Sequence, residues 1–181
     1  MSRSRSREMD LTTGSPFWSL LKFSIPVILG NLFQLFYTLA DSVIVGKTLG
    51  AESLAAVGST SIIIYFVFCF INGFTGGFGI CLGQRCGAKD EQGMRKSIAV
   101  STLLSIAFTV VLTLVCCLLS RQILVWMQIP DDIAEEANAY MFVVLLGTGA
   151  TVFYNMISNM LRALGDSKTP LYFLVFSSVL N

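Results

Sequence analysis

One acidic residue, Asp41, lies well inside a long apolar run, and a charge in that setting needs a reason. A carboxylate at the centre of a membrane helix costs roughly 2.5–3.5 kcal/mol on insertion scales, so such residues usually face a cavity and bind ions or protons. At the helical period, Gly30, Gln34, Tyr37 and Asp41 fall on one narrow face. An acid with an amide and a phenol on its own stripe reads as a lined site. The competing reading places Asp41 at an interface, where water would cap it.

A second polar stripe follows downstream, with Thr148, Thr151, Asn155, Ser158 and Asn159 along one helical line. Hydroxyls and amides in lipid either bond a neighbouring helix or line water. Interhelical bonding accounts for the stripe as well as a cavity does. Pro26 cannot donate to the carbonyl of Lys22, so its helix is expected to bend there. Gly73, Gly76, Gly77, Gly79 and Gly83 are expected to let helix backbones touch, the Gly73/Gly77 and Gly79/Gly83 pairs having the required spacing. Asn72, one turn from Gly76, is a weaker candidate to point inward.

Several chemistries are excluded by residue type. The chain has no histidine, so the usual metal ligand and the usual general base are both missing. Serines are many, but nothing beside them would activate one as a nucleophile. The cysteines (Cys69, Cys81, Cys86, Cys116 and Cys117) lack zinc-site spacing and sit in or beside apolar runs, where a thiol behaves as a small hydrophobe. No metal and no organic cofactor is expected. The glycines form no nucleotide loop, because no Gly-Lys-Ser follows them. A net charge of +1 argues against bulk attraction to nucleic acid.

The elements that carry these residues are membrane helices. Of the 181 residues, 54% are hydrophobic and only 13% charged, against about 25% charged in an ordinary soluble domain. The expected architecture is an all-α polytopic bundle, with a tail over 1–16 and helices over about 17–45, 53–83, 94–119, 132–164 and 170–181, the last cut short. Residues 121–130 read as an interfacial piece with Trp126 at headgroup level. Asp132 and Glu135 have the spacing of a capping box, Gly165 suits a left-handed cap, and Pro170 suits a first helical turn. The first apolar run is too long for a signal peptide and lacks a clear cleavage site. Ten of the 12 basic residues, including Arg3, Arg5, Arg7, Arg85, Arg95, Lys96 and Lys168, fall on the side of the N-terminus; only Lys47 and Arg121 fall opposite. That bias predicts a cytoplasmic N-terminus. Because the sequence stops within an apolar run, it is expected to be the N-terminal part of a longer product.

Four strings, in order, resemble a known family. Residues 26–46, from Pro26 through Asn31, Gln34, Tyr37 and Asp41 to Gly46, resemble the opening helix of the multidrug and toxic compound extrusion (MATE) exporters, closest to their DinF-like bacterial branch. Glu52–Gly58 resembles the start of that family's second helix, Gly87–Asp90 its first cytoplasmic loop, and Leu161–Pro170 its loop between helices four and five. The resemblance covers about Ser15 to the last residue.

The resemblance implies twelve helices in two six-helix lobes, with this chain as the partial N-terminal lobe over 17–181. It implies a monomeric antiporter in the bacterial inner membrane, exporting organic cations or amphipathic drugs in exchange for H⁺ or Na⁺. By the same resemblance, Asp41 is the protonation or cation site, Pro26 the place where the first helix bends, and Asn181 part of an Asn-x-x-x-Asp pattern whose acid lies further on. Tyr37, Gln34, Asn155, Asn159 and Thr151 are then expected to line the cavity. Drug and coupling ion would compete for one buried charge. The nearest alternative is a lipid-linked oligosaccharide flippase of the same superfamily, disfavoured because no predicted span carries a mid-membrane Arg or Lys. A non-transporting scaffold is the other alternative, and a membrane-embedded enzyme is disfavoured by the missing catalytic groups.

Overall fold

The structure, a computed structural model, describes residues 16–48 and 50–180. Asn181 and the arginines of the N-terminal tail lie outside the described residues. The elements, in order, are α1 (Pro16–Thr48), α2 (Ala51–Gly87), α3 (Glu91–Trp126), α4 (Asp131–Leu146), α5 (Thr148–Ala163) and α6 (Lys168–Leu180). No strand occurs among the described residues, as expected for an all-α protein.

Three of these helices, α1, α2 and α3, are long and apolar enough to cross a membrane, and the bent pair α4–α5 makes a fourth span if counted as one. The pattern of exposure agrees with a lipid surround. On α2, Thr60 and Thr75 are fully buried, whereas Ile62, Tyr65 and Phe66 are each at least 70% exposed. So many large apolar residues outside depart from the arrangement a soluble protein needs. The inward hydroxyls satisfy themselves on their own helix, Thr60 to the carbonyl of Ala56 at 3.1 Å and Thr75 to that of Ile71 at 2.8 Å.

The described chain forms two compact units whose boundary falls within α1, α2, α3 and α5. The first holds the residues up to Leu39, Gly76–Ser101 and those from Met156 onward. Its core joins Leu82, Met156 and Met160, flanked by Phe78, Met94, Ala163 and Leu164. Gly79 and Gly83 do what was expected of them: a β-carbon on Gly79 would stand 3.1 Å from the carbonyl oxygen of Asn159, and one on Gly83 3.8 Å from Ala163 Cβ. Gly73, Gly76 and Gly77 do not, since among the described residues nothing lies within 4 Å of where their β-carbons would be. Spacing alone licenses close approach; it does not say which glycines meet a partner.

Turns in this unit are tied by single acids. Asp90 accepts from the backbone N–H of Gly93 at 2.8 Å, which caps α3, and it meets Arg85 at 3.2 Å. Both partners of that ion pair are about half exposed, so it adds about 0.2–1 kcal/mol at most. Asp166 accepts from the N–H groups of Lys168 and Thr169 at 3.1 and 3.0 Å, capping α6. Gly165 adopts φ 89°, the left-handed cap conformation, and Pro170 sits in the first turn of α6, both as the sequence predicts.

The second unit comprises Ala40–Thr75 and Thr102–Asn155. Ile133, Ala137, Met141 and Leu145 recur every fourth residue along α4 and form its buried stripe. They pack with Ile71, Val67 and Ala56 of α2, Leu124 of α3 and Val152 of α5. Cys116 and Cys117 are partly buried against this core, in the role of small hydrophobes. The Phe108 ring stacks on Phe74 at 3.9 Å. At the helix ends, Ser53 donates to a Glu136 carboxylate oxygen at 2.9 Å, tying α2 to α4.

Three expectations need correction. Residues 121–130 are not a separate interfacial piece, because α3 continues to Trp126 and only Met127–Pro130 turn the chain. Arg121 did not end the helix, since a basic side chain at a helix end can reach the interface without breaking the ladder. The fourth span is not one helix but two, bent by 42° between Leu146 and Thr148. Asp132 and Glu135 form no capping box; Pro130 precedes α4, and no side chain bonds its first turn. Pro130, held at φ −56°, already fixes the entry to α4.

Candidate functional site

Asp41 is half-buried in α1, in the second unit. Its carboxylate is close enough to the Tyr140 phenol of α4 to interact with it electrostatically. Tyr140 was not singled out from the sequence. It stands next to the buried stripe of α4, between Ala137 and Met141, yet nothing in a helical period tells which residue of another helix faces it. A phenol near a carboxylate is a polar neighbour that carries no charge of its own.

The other candidates divide between the units. Gln34, Tyr37 and Asn159 belong to the first; Thr151 and Asn155 belong to the second together with Asp41. Gln34 and Tyr37 lie on the Asp41 stripe, because α1 runs unbroken from Pro16 to Thr48. Pro26 lies inside that unbroken run, so the N–H that it cannot donate to the carbonyl of Lys22 does not split the helix. Asn155 donates to the carbonyl of Thr151 at 2.9 Å. The Thr151 hydroxyl points back to the carbonyl of Gly147 at 3.5 Å. Asn159 turns its backbone to Gly79. Asn72 is exposed and donates to its own helix at Phe68. Asn181 lies outside the described residues.

Thr148 resolves part of the ambiguity in the α5 stripe. Its hydroxyl is fully buried, donates to the carbonyl of Leu145 at 2.7 Å and lies 2.8 Å from the hydroxyl of Thr113 on α3. A hydroxyl has one proton, so Thr113 must be the donor of the second bond. This end of the stripe is therefore interhelical glue at the bend between α4 and α5, not cavity lining. No group of three or more potential metal ligands occurs among the described residues.

Residues 26–181 match the sequence profile of the MatE family. The chain belongs to the MATE family of membrane transporters. It is 35% identical over 172 residues to the probable multidrug resistance protein YpnP of Bacillus subtilis, covering 95% of this chain and 39% of that protein. Its structure resembles a MATE in the bent conformation and one in the straight conformation, each with TM-score 0.84 and 30% identity over 92% of this chain and 37% of that one. This MATE chain therefore spans about two-fifths of the length of the relatives it matches. Asp41 itself and the bent pair carrying Thr151, Asn155 and Asn159 fall within the matched residues.

Proposed function

We propose that the whole protein is a secondary antiporter that exports cationic or amphipathic organic compounds in exchange for H⁺ or Na⁺, and that Asp41 carries the coupling ion. The observation that carries this reading is a half-buried carboxylate within a long apolar helix, with the Tyr140 phenol near it. A carboxylate so placed can take up a proton, a sodium ion or a drug cation in turn. Competition for that charge links uptake of the ion to release of the drug. Relatives named as probable multidrug resistance proteins support the substrate class. The excess of basic residues on the N-terminal side supports a cytoplasmic N-terminus in the bacterial inner membrane.

The test is efflux of a fluorescent organic cation from cells expressing the full-length gene. Wild type should export it in a manner that collapses with the proton or sodium gradient, and Asp41→Asn should abolish gradient-driven efflux at unchanged expression. Intact efflux in the Asn variant would overturn the role of Asp41. No export by the wild type of any cation tested would overturn the drug-transport reading itself.

A further inference from the structure

α3 has 36 residues, about 54 Å at the helical rise, whereas the hydrocarbon core of a bilayer is about 30 Å thick. Its ends must stand in the headgroup layers. At one of those ends, beside the exposed Trp126, a cleft of about 440 Å³ opens between the close of α3 and the start of α4. Tryptophan exposed at a helix end marks headgroup depth.

The lining of this cleft has two parts. Leu124, Val125 and Ile129 form an apolar wall. Arg121 stands on the α3 side, and Asp131 and Glu135 on the α4 side. Although these three charges wall one cleft, no ion pair joins Arg121 to either acid among the described residues. The neighbouring polar groups are engaged elsewhere, Glu136 by Ser53 and Asn138 by Ser120 at 3.3 Å. A guanidinium and two carboxylates kept apart across a cleft, with an apolar wall beside them, match a ligand carrying both charges on an apolar body. A purely anionic headgroup would meet two carboxylates; a bare organic cation would meet the guanidinium.

We propose that this cleft binds a zwitterionic phospholipid whose headgroup ends in a primary ammonium, that is, phosphatidylethanolamine. Its phosphate is held by Arg121, whose fork suits a phosphate bidentately. Its ammonium has three N–H donors to divide between Asp131 and Glu135, which a trimethylated choline headgroup lacks. The acyl chains continue along Leu124, Val125 and Ile129. This site is separate from the Asp41 region and does not depend on the transport reading.

The test uses the full-length protein purified in detergent, with phosphatidylethanolamine and phosphatidylglycerol added singly and bound lipid read by native mass spectrometry. Wild type should retain phosphatidylethanolamine over phosphatidylglycerol, and Arg121→Gln should weaken that retention roughly tenfold through the lost charge-assisted contact. The double change Asp131→Asn with Glu135→Gln should invert the preference toward phosphatidylglycerol, an outcome that misfolding would not produce. Free phosphoethanolamine should fail to displace the lipid at equal concentration, because it has no chains to lie on the apolar wall. Equal retention of the two lipids by wild type, or a preference unmoved by the double change, would overturn the proposal. Displacement by the free headgroup would overturn the assignment to a lipid.

Discussion

The carbonyl oxygen of Asn159 on α5 lies 3.1 Å from the point where a β-carbon on Gly79 of α2 would stand. That is too close for comfort and too far for an outright clash, so the two helix backbones meet at a distance set by a missing methyl group. The neighbouring contact of Gly83 with Ala163, at 3.8 Å, is ordinary van der Waals packing.

Gly79→Ala should therefore force α2 and α5 apart by a few tenths of an ångström and destabilise the protein by about 1–3 kcal/mol, the usual range for overpacking. Gly76→Ala, where nothing lies within 4 Å, should be neutral or slightly stabilising through better helix propensity. Unfolding of the two purified variants in mixed detergent would compare them directly. Equal stabilities would mean that the Gly79 approach relaxes at no cost.

At the bend between α4 and α5 the expectation concerns a buried hydroxyl. Thr148→Val keeps the shape but leaves the carbonyl of Leu145 and the hydroxyl of Thr113 without this partner. The expected loss is about 1–3 kcal/mol, the range for stranding a buried polar group. Thr113→Val removes only the interhelical donor and should cost about 0.6 kcal/mol, the average for such bonds in a membrane protein. A double-mutant cycle should give a coupling between the two positions. Strict additivity would show that the 2.8 Å contact carries no interaction energy.

How much of this was legible beforehand follows from what each signal depends on. Gly165 and Pro170 were read correctly because a left-handed cap and a first-turn proline are local, decided by the residue itself. The bend at Gly147 was not foreseen, because glycine is common in membrane helices and the break takes shape only with Thr148 bonding both Leu145 and Thr113. The end of α3 was misplaced at Leu119 because hydropathy falls at Arg121 while the hydrogen-bond ladder does not. For the site, Asp41 stood out as a lone charge in an apolar run. Tyr140 could not, since its nearness to Asp41 depends on which residues of another helix it approaches.

That facing pair yields the last expectation. If the phenol of Tyr140 holds the Asp41 carboxylate in position, Tyr140→Phe removes one neutral polar partner and leaves the charge. With the charge still in place, efflux should fall by roughly two- to tenfold, well short of the complete loss expected for Asp41→Asn. Tyr65→Phe serves as the control, because Tyr65 is 72% exposed on α2 and interacts with Cys69 of its own helix, so it should be silent. Efflux assays on the full-length variants at matched expression would rank the three. In unfolding experiments, Asp41→Asn and Tyr140→Phe should also be non-additive, as expected for residues that interact. A silent Tyr140→Phe, or losses that simply add, would mean that proximity to Asp41 is incidental and that other groups hold the carboxylate.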